Sequence, residues 1–232
     1  MIRIAGLTRF SSVDFQGVLA AVLYTPGCNY DCFYCHNRPL LQHKTPVLPT
    51  SDVLAWLDKR RGQLEGVVIS GGEPSLQPDL EPFVRAIKDM GYLVKLDTNG
   101  SRPKQLAALL QARLLDRVAV DYKAPWHRYK EICRCGPCDI QAVQTSLQLL
   151  GQHPVAWEAR TTVVPQLTLS DLLLMAAAVP ALPAWFLQPY RQPPVFRPED
   201  RILCETPPYT EDTLRRMQLA LVQVQPSVKL RV

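Results

Sequence analysis

Cys28, Cys32 and Cys35 form a C-x3-C-x2-C run within Thr25-Pro26-Gly27-Cys28-Asn29-Tyr30-Asp31-Cys32-Phe33-Tyr34-Cys35-His36-Asn37. Thiolates hold iron–sulfur clusters, and close spacing lets one loop wrap several corners of a cube. Three ligands in place of four leave one iron open to a bound molecule, much as catalytic zinc sites keep a free position. A structural zinc loop, with His36 as a fourth ligand, or a trio of ordinary thiols are the plainer readings. A second group, Cys133-Arg134-Cys135-Gly136-Pro137-Cys138, has C-x-C-x2-C spacing, and Cys204 is the one cysteine left to complete it. It can hold a second iron–sulfur cluster or a zinc. Reduced surface thiols are the alternative, a poor surface choice because thiols oxidise readily.

Charged and glycine-rich segments follow. In Ser70-Gly71-Gly72-Glu73-Pro74 the glycines let backbone approach a ligand without a Cβ clash. Their carbonyls can accept from an amino group, and Glu73 adds negative charge; a tight turn is the simpler reading. Asp97-Thr98-Asn99-Gly100 and Asp121-Tyr122-Lys123-Ala124-Pro125 place opposite charges, Asp97 and Lys123, where strands end. These two can hold a ligand or pair with each other, and Asn99-Gly100 suits a turn. Arg160 fits a carboxylate through its guanidinium fork, or a salt bridge to Glu158 or Asp121.

Elements must carry these groups. Gly17 to Tyr24 is a candidate buried strand. A helix starts near Ser51, with Ser51 and Asp52 as capping residues and Val53, Leu54 and Leu57 on one face. Gly66–Ile69, Tyr92–Leu96, Val118–Val120, Glu158–Val164 and Ala184–Leu187 are the further strands. Between them, helical faces run through Leu80, Phe83, Val84 and Ile87; Leu106, Leu109 and Leu110 after Pro103; and Ile140, Val143, Leu147 and Leu150. Another helix starts near Ser170, and Leu214, Met217, Leu221 and Val224 mark the last. Strand–helix alternation implies a parallel α/β sheet with right-handed crossovers, and continuous apolar strands imply cover on both faces. Six units fall short of a closed eight-stranded barrel. An open partial (β/α)6 barrel is expected, with a doubly wound sheet as the alternative, and reactive groups at the C-terminal strand ends.

The 232 residues, 47% of them hydrophobic, suit a single domain over 1–232 with a Pro-rich segment from about 180. No ~18–20-residue apolar stretch occurs, so no membrane span is expected. Met1 to Phe10 lacks an apolar leader core. A cytoplasmic setting follows, where thiols stay reduced and seven cysteines suggest metal or catalysis. A formal charge of +5 spread along the chain does not indicate nucleic-acid binding.

C-x3-C-x2-C with an aromatic before the last cysteine resembles the signature of radical S-adenosylmethionine (SAM) enzymes. That resemblance implies a [4Fe–4S] cluster on Cys28, Cys32 and Cys35, with its fourth iron chelating SAM, which one electron cleaves to methionine and a 5′-deoxyadenosyl radical. It implies Tyr34 beside adenine; Gly71, Gly72 and Glu73 at the methionyl ammonium; and Asp97, Thr98, Asn99, Lys123 and Arg160 among the SAM contacts. Arg9 to Gly17, GCNYDCFYCHN, DTNG, D-x-K-A-P and RTTVVP further resemble the activating proteins of anaerobic ribonucleotide reductase, relatives of the pyruvate formate-lyase activases. The implied partner is a glycyl radical enzyme, with a flavodoxin or ferredoxin-type electron donor. A monovalent cation near Asp97, Thr98 and Asp121 is implied too. The Cys133–Cys138 group departs from the family pattern. A radical SAM enzyme of small molecules, like 7-carboxy-7-deazaguanine synthase, and a zinc-stabilised binding module are the competing functions.

Overall fold

The computed structural model describes residues 2–41 and 45–231, with the Cys138 side chain outside that description. Eight strands follow one another in sheet order: β1 Gly6–Ser11, β2 Ala20–Thr25, β3 Gly66–Gly71, β4 Leu93–Thr98, β5 Arg117–Asp121, β6 Ala156–Val163, β7 Trp185–Pro189 and β8 Val228–Leu230. The helices are α1 Thr50–Asp58, α2 Leu80–Asp89, α3 Pro103–Gln111, α4 Tyr129–Cys133, α5 Pro137–Gly151, α6 Leu169–Ala177, α7 Arg201–Glu205 and α8 Glu211–Val222. The expected α/β class with an open, mostly parallel sheet is the one found. All six expected strands are present as β2 to β7. Neighbours in the sheet are neighbours in sequence, which removes the doubly wound alternative, where strand order reverses.

Two compact units divide the residues: 1–29, 37–119 and 142–156 in the first, and 30–36, 120–141 and 157–232 in the second. In the first unit, β2 pairs with β3 and β3 with β4 in parallel. Ala20–Leu23, Val67–Ile69 and Val94 are buried to 2% exposure or less, so both sheet faces are covered and the strands are apolar throughout. α2 sets Leu80, Phe83, Val84 and Ile87 inward, as its i, i+3, i+4, i+7 spacing requires. α1 begins one residue earlier than expected. Pro49 occupies its cap position with no side-chain bond, and Ser51 and Asp52 lie inside the first turn.

Lys95 is the exception in this core. It sits mid-strand at 2% exposure, and its ammonium meets Asp97 at 3.0 Å and the Asp14 carbonyl at 2.6 Å. A buried charge persists only when paired and hydrogen-bonded.

In the second unit, β6, β7 and β8 are parallel. Tyr122, Trp126, Tyr129 and Trp185 pack ring to ring at 4.8–6.0 Å. The Trp185 indole donates to Thr161 Oγ1 at 2.9 Å, satisfying its buried N–H. α6 starts one residue before Ser170, closed by a reciprocal cap between Thr168 and Asp171. The Pro-rich stretch after 180 carries β7 and α7 and is otherwise irregular, as proline's missing donor dictates. Among the described residues, no helix is long and apolar enough to cross a membrane.

Candidate active site

In the first unit, the chain leaving β2 towards Cys28 is held by the end of β3. Gly72 N donates to Thr25 O at 2.9 Å and Glu73 N to Gly27 O at 2.8 Å. Gln77 Nε2 donates to Pro26 O at 3.0 Å, and Gly27 N to Leu40 O at 2.7 Å. The two glycines are explained by this docking. A Cβ on Gly72 would stand 2.0 Å from Gly27 O, and one on Gly71 2.3 Å from Thr25 N. Gly71 also holds φ +125°, a region side chains rarely adopt. The close approach expected of a ligand is thus made here by the protein's own backbone. The Gly71 carbonyl accepts from Asn37 Nδ2 at 3.1 Å.

Glu73 is fully buried, and its carboxylate is met by protein donors. Oε1 accepts from Ser75 N at 3.0 Å, Ser75 Oγ at 2.5 Å and Thr98 Oγ1 at 2.7 Å; Oε2 accepts from Asn99 N at 2.6 Å. Burial pushes its carboxyl upward, against the opposing pull of the bonds from Asn99, Ser75 and Thr98. Glu73 therefore ties the end of β3 to the end of β4 and orients Thr98 and Asn99. Asn99 in turn reaches back: its Nδ2 donates to Asn29 Oδ1 at 3.0 Å and lies 3.8 Å from Cys28 Sγ. Its Oδ1 accepts from Ser101 N at 2.9 Å.

Asp97 lies within β4 and Lys123 just after β5. Each takes a partner two positions away on its own segment: Asp97 with Lys95, and Lys123 with Asp121 at 2.9 Å. In the second unit, Arg160 joins Asp121 through Nη2 at 2.9 Å and Nε at 3.2 Å. This is the salt bridge that competed with a ligand role; Glu158 instead meets Arg231 at 3.4 Å. Burial alone would raise the Asp121 carboxyl, but Lys123 and Arg160 outweigh it and hold it at about 2. Burial alone would lower Lys123, but Asp121, Tyr34, Cys32 and Cys133 together hold it well above the ordinary lysine range. Asp121 thus anchors two cations, Lys123 and Arg160.

The loop bearing Cys32 and Cys35 belongs to the second unit too. Cys35 N donates to Cys32 O at 3.2 Å, a tight turn that sets the two thiols. Tyr34 is buried and meets Phe33 edge to face at 5.2 Å. Two other segments pin this loop. Asp31 N donates to Cys133 O at 3.0 Å, and Cys32 Sγ lies 3.9 Å from the same carbonyl. The Cys204 thiol donates to Phe33 O at 3.3 Å, and Tyr190 closes over it through a 2.6 Å bond to Cys204 O. Arg197 pairs with Asp31 and Arg134 with Asp200, while His36 Nε2 lies 2.9 Å from Arg191 O.

The second cysteine group is thus not a free-standing set: Cys133 and Cys204 are buried against the first loop. Among the described residues, no three His, Cys, Asp or Glu side chains converge as on a single metal ion. A cube asks something different, since each thiolate takes its own iron corner. Cys28, Cys32 and Cys35 all lie outside disulfides, so the donor set has the chemistry a [4Fe–4S] cluster requires. The parts sequence reading missed are Asn29, Asn37 and Gln77 bracing Cys28, Asp121 as a hub of two cations, and the contact of Cys133 with Cys32. Only the hub had a local signal, the i, i+2 spacing of Asp121 and Lys123.

The family model of the radical SAM superfamily matches residues 22–179. A provisionally named glycyl-radical enzyme activating enzyme of Methanocaldococcus jannaschii is 34% identical over 168 residues, 70% of this chain and 69% of that protein. A protein of Saccharolobus islandicus, provisionally named a GTP 3′,8-cyclase, is 37% identical over 106 residues, 44% of this chain and 34% of its own length. The fold is shared with SuiB of Streptococcus suis, solved with the precursor peptide SuiA, at TM-score 0.68 and 13% identity, over 91% of this chain and 48% of SuiB.

Proposed function

This chain belongs to the radical SAM superfamily and is an enzyme, and from that membership we propose that it is a glycyl-radical-enzyme activase. In this reading it cleaves SAM reductively at a [4Fe–4S] cluster and takes hydrogen from a glycine of a partner, anaerobic ribonucleotide reductase being the favoured one. The observation that carries the reading is the similarity to the M. jannaschii protein, extending over more than two thirds of both chains. The cluster supplies one electron, and SAM supplies the 5′-deoxyadenosyl group that accepts the hydrogen.

The chain's own residues then have these tasks. Cys28, Cys32 and Cys35 hold the cluster. Gly71 and Gly72 hold the Cys28 approach in place, and Glu73 acts through Thr98 and Asn99. Arg160 and Lys123, both anchored by Asp121, bring positive charge to the SAM carboxylate, and Tyr34 packs near adenine. The whole chain is read as one radical SAM domain in the cytoplasm, fed by a flavodoxin or ferredoxin-type donor, with a monovalent cation near Asp97, Thr98 and Asp121. Cys133 and Cys204 are read as support for the cluster loop.

A second reading, a radical SAM enzyme of a small molecule, is favoured by the 37% match to the GTP cyclase, which is confined to 44% of this chain. The test is anaerobic reconstitution followed by dithionite and SAM, with a peptide carrying the glycine loop of anaerobic ribonucleotide reductase dideuterated at the glycine Cα. The activase reading requires deuterium in the 5′-deoxyadenosine. Unlabelled product with the peptide, together with consumption of GTP, would establish the small-molecule reading instead.

A further inference from the structure

We infer that Lys95 is a positioning residue for SAM: its buried ammonium fixes the carboxylate of Asp97 at the end of β4 in the orientation that SAM binding needs. The inference deepens the proposed function and rests on the reading that Asp97 is a SAM contact. Three observations carry it. Sheet register sets Val22, Val68 and Lys95 side by side, and the two valines belong to an apolar cluster with Phe15 and Ala20. Lys95 is thus a charge in an apolar row, at 2% exposure. Its ammonium has two fixed acceptors, Asp97 Oδ1 at 3.0 Å and the Asp14 carbonyl at 2.6 Å. The second acceptor is itself held: Ser11 Oγ accepts from Val13 N at 3.2 Å and Asp14 N at 3.1 Å, and donates to Asp14 Oδ2 at 2.6 Å.

The fold alone does not call for this arrangement. A buried ion pair is costly to desolvate, and apolar residues of similar volume in its place are often neutral or stabilising. Val22 and Val68 show that this row takes apolar side chains. The pair is placed where it matters for the site. Asp97 leads directly into Thr98 and Asn99, which Glu73 holds, and Asn99 Nδ2 lies 3.8 Å from Cys28 Sγ. An ammonium buried in the sheet cannot swing into water, so the carboxylate is oriented before a ligand arrives. Binding to a group already held in place loses less ordering entropy. The Ser11–Asp14 turn, within the Arg9–Gly17 segment, gains a task from the same contact: it presents the carbonyl that steadies Lys95.

The experiment is a double-mutant cycle on anaerobically reconstituted protein: wild type, Lys95→Met, Asp97→Asn and the double variant, each read for iron per chain, urea midpoint and SAM affinity by equilibrium titration. Lys95→Met and Asp97→Asn should each keep about four irons per chain and weaken SAM binding about ten-fold or more. The double variant should bind SAM no more weakly than Asp97→Asn, because Lys95 acts through Asp97. It should also regain most of the urea stability that Lys95→Met loses, since neither charge is left alone. Stability that returns without SAM affinity is the signature of a positioning role. Lys95→Met that binds SAM as wild type does overturns the inference. So does a double variant weaker than Asp97→Asn, or one that regains wild-type SAM affinity along with its stability, which would make the pair a support of the fold. Should Lys95→Met alone fail to fold, the comparison of the double variant with Asp97→Asn decides. Wild type that binds no SAM would overturn the proposed function, and this inference with it.

Discussion

Gly72→Ala separates two explanations of the glycine pair. If the glycines serve only a ligand, the substitution leaves the ligand-free protein as stable as before. The structure says otherwise. The new methyl would lie 2.0 Å from Gly27 O and 2.6 Å from Gly27 C, where ordinary contact begins at 3.4 Å. Both obstacles are backbone, so no side-chain rotation relieves them. Relief requires moving the end of β3 off the segment before Cys28, which breaks Gly72 N to Thr25 O and Glu73 N to Gly27 O. Overpacking costs about 1–3 kcal/mol and each hydrogen bond about 0.5–1.5, so roughly 2–6 kcal/mol is expected together. For a chain of this size that is a fall in Tm of roughly 4–24 °C. Gly151→Ala is the matched control. Gly151 ends α5 with nothing within 4 Å of its added Cβ, so alanine there is neutral or slightly stabilising. Urea and thermal unfolding of cluster-free protein check both. A Gly72→Ala variant with wild-type midpoints and weaker SAM binding would refute the backbone-docking explanation and restore the direct ligand role.

Cys28→Ala, Cys32→Ala and Cys35→Ala should each abolish 5′-deoxyadenosine formation, because each iron corner loses its thiolate; the assay is product chromatography beside iron content. Glu73→Gln should cost about 1–3 kcal/mol, since an amide cannot accept on both ends and one of the buried donors from Ser75, Thr98 and Asn99 goes unmet; urea midpoints read this. The same variant should weaken SAM binding through misplaced Asn99 while the cluster still assembles, measured by equilibrium titration. Asp121, held at about 2 in the folded chain against 3.8 ordinarily, contributes stability that is present above about pH 4 and lost as pH falls towards 2. Asp121→Asn should therefore flatten that acid limb and lower stability at neutral pH; an unchanged profile would show that Lys123 and Arg160 do not depend on it.

The legible parts of this fold are those whose environment is uniform. β2 to β7 were readable because strands covered on both faces are continuous apolar runs. β1 was not: Thr8, Arg9 and Phe10 face solvent on an antiparallel edge, so neither an apolar run nor a clean alternation marks it. The start of α1 was misplaced because capping propensity describes a side chain in isolation, while the chain enters that helix through Pro49. At the site, residue types were legible and partnerships were not. Thiols, carboxylates and cations announce what they can do, but what they do is set by the neighbour that reaches them first.

The ion pairs show where that line falls. Lys95 with Asp97 and Asp121 with Lys123 share the i, i+2 spacing, which on extended chain puts both side chains on one face. An opposite charge two residues away on the same segment is within reach as soon as the chain extends, so local geometry supplies each of these pairs. Arg160 to Asp121 spans 39 positions and Cys32 to Cys133 spans 101, and no spacing rule reaches so far. These long-range contacts gather around the candidate chemistry: Asp121 fixes two cations, and Cys133 and Cys204 fix the loop of Cys32. A thiolate loop that must bind a cluster cannot be braced through its own sulfurs, since those are committed to iron. Its bracing has to come through backbone groups and through side chains from distant segments, which is how Asp31 and Phe33 are held here.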